Sequence, residues 1–152
     1  MLGGFVLILL RHFIPEDYSV IQKYQYPELD KADILKMISD WNTFCYHNQY
    51  FERFAIELNG TAIGSISLYQ QGIDVISTGI EIFMPYRKCG YALESMELIL
   101  NYAQLKGYRK IVNQVRQDNT ASIELHKKLG YFIDREEINS KGRKVYRFIK
   151  IL

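Results

Sequence analysis

Apolar and polar positions alternate with different periods along the first quarter of the chain, and this pattern predicts one strand followed by two helices. The strongly apolar run at 5–12 predicts a buried first strand. Pro15, followed by two acidic residues, predicts a short helix over 16–24. An apolar stripe at i, i+3 and i+4 spacing predicts a second helix over about 30–41.

The middle of the chain predicts a loop followed by several strands. Residues 42–50 are aromatic and poorly periodic, which indicates a loop. Strands are expected over 51–58 and 61–69, joined at Asn59-Gly60, because both of these residues tolerate the positive φ of a tight hairpin turn. After further extended chain, another strand is expected over 80–84.

The second half of the chain alternates between helical and strand patterns. Apolar residues at helical spacing begin near Ala92 and end before Gly107, and a strand is expected over 108–116. A second helix follows with N-cap chemistry at Asn119, and two β-prone runs at 131–138 and 144–151 predict a closing hairpin. The order β-α-α-β-β-β-α-β-α-β-β indicates an α/β (α+β) domain with a mixed sheet flanked by helices.

Composition limits the classes of function. The 152 residues, 48% of them hydrophobic, suit one domain spanning 1–152. A formal net charge of +2 gives no broad footprint for nucleic acid. The apolar run at 5–12 is shorter than the ~20 residues of a membrane span, so no membrane partner is expected. Cys45 and Cys89 lack metal-binding spacing, and reduced thiols in a cytoplasmic protein are expected.

The segment at 80–92 carries the clearest chemical pattern, because an extended run enters a basic turn that opens a long helix. The first amide groups of a helix have no acceptor within the helix, and the helix dipole adds positive potential. Gly90 would let a ligand approach the backbone, and Arg87 and Lys88 add charge. Such a junction can bind a phosphate, although the glycine can also be a simple turn residue and the basic pair can be solvated.

Two blocks of sequence resemble the GNAT acyltransferase family. Arg87-Lys88-Cys89-Gly90-Tyr91-Ala92 is similar to the R/Q-x-x-G-x-G/A pattern of that family, and Pro85-Tyr86-Arg87 is similar to its P-x-Y-R approach. The segment at 119–131 resembles the N-x-x-A/S-I-x-L-Y-x-x-x-G-F/Y block downstream. The resemblance implies the GNAT fold, with a central, mostly antiparallel mixed sheet, and acetyl-CoA as co-substrate without a metal.

The resemblance also assigns roles to individual residues. The amides around Gly90 would bind the pyrophosphate of CoA, the predicted strand would pair with the pantetheine amides, and Asn119 would contact the cofactor arm. An alternative role for Asn119 is a pure N-cap. The expected cofactor-binding residues are Ile82, Phe83, Met84, Arg87, Lys88, Cys89, Gly90, Tyr91, Ala92 and Asn119.

Two residues are candidates for proton transfer. Glu81 interrupts an apolar strand and is a candidate base; the alternatives are a carboxylate that faces solvent or one that pairs with a neighbouring lysine. His126 stands where the family often has the tyrosine of its L-Y pair, so it is a candidate acid or an exposed helix residue. Tyr91 and Tyr131 are other hydroxyls close in sequence, and otherwise water protonates the thiolate.

The resemblance therefore predicts an N-acetyltransferase that moves the acetyl group directly to a primary amine in a ternary complex. The acceptor would be a small-molecule amine or a protein N-terminus. Trp41, Phe44, Tyr46 and Tyr50 would line its pocket or be ordinary core aromatics. A homodimer through the closing hairpin is possible. The alternative reading is a non-catalytic module that binds or senses acyl-CoA.

Overall fold

The first strand lies at one edge of the sheet. A computed structural model describes residues 7–152, and residues 5 and 6 of the predicted first strand lie outside the described residues. Strand β1 spans Ile8–His12 and pairs antiparallel with a later strand. Ile8 is buried, in agreement with the predicted strand.

The two predicted helices follow β1. A 3-10 turn at Pro15–Asp17 leads into helix α1 at Tyr18–Tyr24, so the predicted helix over 16–24 begins with a tighter turn at the proline. Helix α2 spans Lys31–Trp41, and its N-cap Asp30 accepts a hydrogen bond from the amide of Asp33 at 2.8 Å.

The prediction of a loop over 42–50 is wrong in part. Strand β2 at Cys45–Tyr46 pairs with the start of strand β3, which spans Gln49–Leu58. His47 and Asn48 join the two strands with φ of 47° and 62°, which is the backbone of a tight hairpin turn. Because His47 and Asn48 both adopt the left-handed conformation, the chain can reverse direction here and form the hairpin. The aromatic residues on either side made this turn hard to recognise in the sequence.

The hairpin at Asn59-Gly60 is confirmed, with φ of 49° and 86°. Strand β4 spans Thr61–Gln70. Strand β5 spans Val75–Ile82, so the strand predicted over 80–84 begins earlier and ends sooner. It ends because Pro85 has no N–H for the ladder and lies in a 3-10 turn at Met84–Tyr86.

The second half follows the predicted order with boundaries shifted by one or two residues. The elements are helix α3 at Tyr91–Leu105, strand β6 at Lys110–Arg116, helix α4 at Thr120–Lys128, strand β7 at Phe132–Ile138 and strand β8 at Lys144–Ile151.

The sheet is mixed and mostly antiparallel, as expected. Its order is β1-β3-β4-β5-β6-β8-β7, with β2 paired to β3. Strands β5 and β6 form the parallel pair, and they share two registered positions, Val75 with Lys110 and Ile76 with Ile111. Beyond Ile76 the two strands separate, which opens a slot in the middle of the sheet.

Helices cover both faces of the sheet and create two cores. Helix α3 packs Met96 and Ile99 against one face, while α1 and α2 pack Ile21 and Ile34 against Ala55 on the other. Among residues 7–152, no helix is long and apolar enough to cross a bilayer. Edge strand β7 leaves Ile138 71% exposed, and the possible homodimer stays a prediction.

Candidate active site

A groove of about 510 Å³ lies where β5 ends and where α3 and α4 begin. It combines apolar side chains of β5 with the basic turn and the first turns of both helices. Its lining residues are Ile80, Ile82, Arg87, Lys88, Gly90, Ala92, Leu93, Asn119, Ala121, Ser122, Glu124, Leu125 and Lys128.

The junction at Gly90 has the geometry of an anion site. Gly90 is the N-cap of α3 in the left-handed conformation, with φ of 83°. The first intrahelical bond runs from the amide of Glu94 to the carbonyl of Gly90 at 3.3 Å, so the amides of Tyr91 and Ala92 have no acceptor within the helix. A Cβ placed on Gly90 would meet no atom within 4 Å, so the space beside Gly90 itself is open.

The two basic residues of the turn differ in what they contact. Arg87 Nε donates to the carbonyl of Ile82 at 2.7 Å, which ties the turn to the end of β5. Lys88 is exposed and has a φ of 62°. Both residues line the groove, so they place positive charge beside the open amides.

Of the three residues predicted to pair with pantetheine, only Ile82 belongs to β5 and lines the groove, and the pairing itself stays a prediction. Ile82 lines the groove, but Phe83 is 1% exposed and stacks on Tyr24 with ring centroids 5.2 Å apart. Met84 is 73% exposed in the 3-10 turn, so neither of these two residues lies along the groove. Tyr91 packs its ring against the main core instead of lining the groove.

The cysteines are both exposed and free. Cys89 Sγ lies 3.4 Å from the carbonyl of Arg87 and does not line the groove, so its predicted contribution is limited to its amide. In the part of the chain that the structure describes, no group of three or more His, Cys, Asp or Glu side chains could hold a metal ion.

Asn119 is the N-cap of α4, and its Oδ1 accepts a hydrogen bond from the amide of Ser122 at 3.1 Å. The same residue lines the groove, so the cap leaves it beside the predicted cofactor arm. The N-cap role is confirmed, and the cofactor contact stays a prediction.

Glu81 lies on the opposite face of β5 from Ile80 and Ile82, and it points toward α1. It is half-buried, and one of its oxygens accepts a hydrogen bond from Gln25 Nε2 at 2.6 Å. Its partner is thus an amide at the end of α1 rather than the lysine considered above.

His126 is buried beneath the slot, with 5% of its surface exposed, so the alternative of an exposed helix residue is wrong. The amide of Thr78 donates to Asn113 Oδ1 at 2.8 Å, which leaves Asn113 Nδ2 as the donor to His126 Nε2 at 3.1 Å. The other ring nitrogen, Nδ1, therefore carries the proton and donates to the carbonyl of Ser122 at 2.7 Å. Burial lowers the pKa of His126, which favours this neutral form.

Asn113 is a structural residue that the sequence analysis missed. Its side chain bonds both the amide and the hydroxyl of Thr78, at 2.8 and 2.7 Å, at the point where β5 and β6 begin to separate. A side chain thus replaces the next backbone bond of the ladder and holds the slot open. In the sequence, the available indication of this role is that Asn113 is a polar residue at an apolar position of the predicted strand over 108–116.

A second pocket, of about 640 Å³, lies on the Glu81 face of the sheet. Of the four aromatic residues considered for an acceptor pocket, Trp41 and Tyr46 line this pocket, whereas Phe44 and Tyr50 do not. The Tyr50 hydroxyl bonds Glu52 instead. The acceptor role stays a prediction. The full lining is Tyr26, Met37, Asp40, Trp41, Thr43, Cys45, Tyr46, His47, Phe51 and Arg53.

Arg53 is a charged residue of this pocket that the sequence did not reveal. Its guanidinium lies over the ring of Trp41, with the central carbon 4.5 Å from the ring centroid. Burial lowers the pKa of Arg53, while Tyr26 and the charge of Glu81 partly offset this effect. The offset from Glu81 indicates that the guanidinium and the carboxylate share one electrostatic environment.

The chain is similar to known proteins in both sequence and structure. Residues 8–131 match the family model described as an acetyltransferase (GNAT) domain. A curated relative from Bacillus subtilis, the SPbeta prophage-derived uncharacterized N-acetyltransferase YokL, is 26% identical over 147 residues, which is 89% of this chain and 83% of that protein.

Solved structures share the fold at low sequence identity. A chimera of the Vibrio cholerae spermidine N-acetyltransferase SpeG with hSSAT superposes with a TM-score of 0.77 at 18% identity, covering 94% of this chain and 95% of that one. Mycobacterium smegmatis RimJ in complex with CoA-disulfide superposes with a TM-score of 0.80 at 14% identity, covering 95% of this chain and 81% of that one.

Proposed function

The chain belongs to the GNAT acetyltransferase family, and from this premise we propose that it moves the acetyl group of acetyl-CoA directly to a primary amine. The observation that carries the proposal is the junction at Gly90, where the left-handed N-cap of α3 has open space beside it and lines the groove. That groove runs along one face of β5, and Glu81 lies on the other face, with the slot between β5 and β6 alongside.

The cofactor would lie along the groove with its pyrophosphate at the start of α3. The amides of Cys89, Gly90, Tyr91 and Ala92 would donate to the phosphate oxygens, and a helix N-terminus favours such an anion. Ile82 would offer its backbone to the pantetheine arm, and Asn119 would contact the arm from α4. The thioester would then reach the slot beyond Ile76, where strand pairing stops.

Glu81 would act as the general base, directly or through water. The attacking amine must be neutral, and a carboxylate at the reacting position can remove its proton. Gln25 holds the carboxylate at 2.6 Å and fixes its orientation. Backbone amides at the slot would stabilise the oxyanion of the tetrahedral intermediate.

The departing thiolate would take its proton from water in this proposal. The predicted acid, His126, directs its proton at the carbonyl of Ser122 and its other nitrogen at Asn113. Leu125, and not His126, lines the groove. The role of His126 would therefore be to hold Asn113, and a thiolate is a good enough leaving group to depart without a side-chain acid.

The acceptor would be a small-molecule amine bound on the Glu81 face. One structural relative is described as a spermidine N-acetyltransferase, which sets a precedent for an amine acceptor in this fold.

The two free cysteines agree with the cytoplasmic location expected from the sequence.

An acetyl-transfer assay over a panel of primary amines tests the proposal, with Glu81→Gln as the variant and Glu97→Gln, an exposed residue of α3, as its matched control. Removal of a general base is expected to lower kcat about 10²- to 10⁴-fold, while acetyl-CoA affinity measured by calorimetry stays unchanged.

The alternative, a module that binds or senses acyl-CoA without catalysis, predicts tight acetyl-CoA binding but no transfer to any amine by the wild-type protein. Absence of acetyl-CoA binding at millimolar concentration would contradict both readings.

A further inference from the structure

The cofactor groove stops partway along β5. Ile82 and Ile80 line the groove, and Thr78 is the next residue on the same face of the strand, because side chains alternate between faces. Thr78 does not line the groove. Arg87 Nε bonds the carbonyl of Ile82, so the basic turn lies at the Ile82 end of the groove and Thr78 lies at the opposite end. The groove is therefore closed between Ile80 and Thr78.

Side-chain contacts fix Thr78 in this position. Asn113 Nδ2 donates to the hydroxyl of Thr78 at 2.7 Å, and Asn113 Oδ1 accepts from the amide of the same residue at 2.8 Å. The hydroxyl also lies 3.9 Å from Met96 Sδ on α3. Asn113, Met96 and His126 are 6%, 0% and 5% exposed, so the closed end is backed by packed side chains that leave little space for a ligand.

The proposed placement of the cofactor directs its acyl group toward this closed end. With the pyrophosphate at Gly90 and the pantetheine arm beside Ile82, the acyl group is the far end of the ligand and would lie beside Ile80. Two residues of a strand span about 6.6 Å and carbon atoms in contact stay about 4 Å apart, so this group would have room for about one further carbon before it met Thr78.

We propose that Thr78 determines the acyl specificity of the groove, because it closes the groove behind an acetyl group and excludes longer chains such as butyryl. The inference rests on the proposed acetyl transfer and specifies its donor. A groove that was open at this end would bind a longer acyl chain more tightly, since each added methylene would bury more apolar surface. A closed end reverses this order, since each added methylene must displace packed side chains.

Calorimetry with acetyl-CoA, propionyl-CoA and butyryl-CoA, in the absence of any amine, measures this order without turnover. The wild-type protein is expected to bind butyryl-CoA at least about tenfold more weakly than acetyl-CoA, with propionyl-CoA between them. Thr78→Ala shortens the side chain at the closed end and keeps the backbone bond to Asn113, so it is expected to bring the affinities for acetyl-CoA and butyryl-CoA within about threefold of each other. Thr61→Ala, at an exposed position of β4, is the matched control and is expected to keep the wild-type preference.

Equal or tighter binding of butyryl-CoA to the wild-type protein overturns the inference, and so does an unchanged preference in Thr78→Ala. If Thr78→Ala fails to fold, Thr78→Ser takes its place with the same expected direction, because it removes one methyl group and keeps the hydroxyl that bonds Asn113. The proposed function fails separately: a preference for acetyl-CoA without transfer to any amine retains the closed groove and contradicts acetyl transfer.

Discussion

The two halves of the site lie on opposite faces of β5 and are built in different ways. The cofactor groove depends mainly on backbone: the left-handed Gly90, the free amides of α3 and the end of a strand. The proposed acceptor pocket depends on side chains of α2, of Tyr26 after α1, of the β2–β3 hairpin and of β3. A local segment can specify the first half, whereas the second needs the complete fold to bring its side chains together.

A substitution of Asn113 is expected to have the largest effect, because this side chain holds open the slot between β5 and β6 that both halves of the site share. Asn113→Leu leaves the amide of Thr78 and Nε2 of His126 without partners in the interior. We expect the free energy of unfolding, measured with urea, to fall by about 2–4 kcal/mol.

The same substitution at an exposed site of α3, Asn101→Leu, is the matched control, with an expected change within about 0.5 kcal/mol. Equal stability of Asn113→Leu and the wild-type protein would mean that Asn113 does not hold the slot.

The pH dependence of stability tests whether His126 supports Asn113 as a buried, neutral ring. Its pKa is lowered by burial, so the unfolded chain binds a proton at a higher pH than the folded protein. Stability is therefore complete above the ordinary histidine pKa of about 6.5 and declines as the pH falls through the lowered value. His126→Gln should remove this part of the decline in urea unfolding between pH 8 and 5.5, an effect smaller than that of Asn113→Leu.

His47→Gln, a change at an exposed hairpin residue, is expected to keep the wild-type pH profile and serves as the control. If His126→Gln declines with pH as steeply as the wild-type protein, the buried neutral ring is the wrong description.

Lys88 tests whether the groove binds its ligand mainly through the backbone. If it does, the exposed Lys88 side chain should contribute little to the affinity for acetyl-CoA. Lys88→Gln is expected to weaken acetyl-CoA binding no more than about fivefold at low salt, the range of an exposed ion pair. The difference should disappear near 1 M salt, where screening acts within ~3 Å. A larger loss that persists in high salt would place the main phosphate contact on the lysine instead.

The fold could be predicted from the sequence, and the cofactor groove could be proposed from it, because the signals of both are local. Asn59-Gly60 specifies a hairpin by itself, and the basic turn before Gly90 lies directly beside the helix that it opens. The end of β5 was misplaced because the apolar run continues past Ile82 although Pro85 stops the ladder. Periodicity alone gives no information on where such a run stops pairing.

The acceptor side could not be predicted to the same extent, because its contacts join distant positions. Gln25 reaches Glu81 across 56 positions, and Asn113 reaches Thr78 across 35. Arg53 is a single charged residue in a strand, and only the register with Ser67 and Gly79 places it on the same face of the sheet as Glu81. Such contacts depend on strand pairing, which one sequence does not specify.

A pair of glycine substitutions tests the central claim, that open backbone amides at Gly90 bind the diphosphate of the cofactor. Gly90 and Gly107 lie at opposite ends of α3 with φ of 83° and 97°, and a Cβ meets no atom within 4 Å at either one. Alanine should therefore cost each position a similar stability, about 1–2 kcal/mol. The account predicts that acetyl-CoA affinity, measured by calorimetry, falls at least about tenfold in Gly90→Ala and stays at the wild-type value in Gly107→Ala. Wild-type affinity in Gly90→Ala would contradict it.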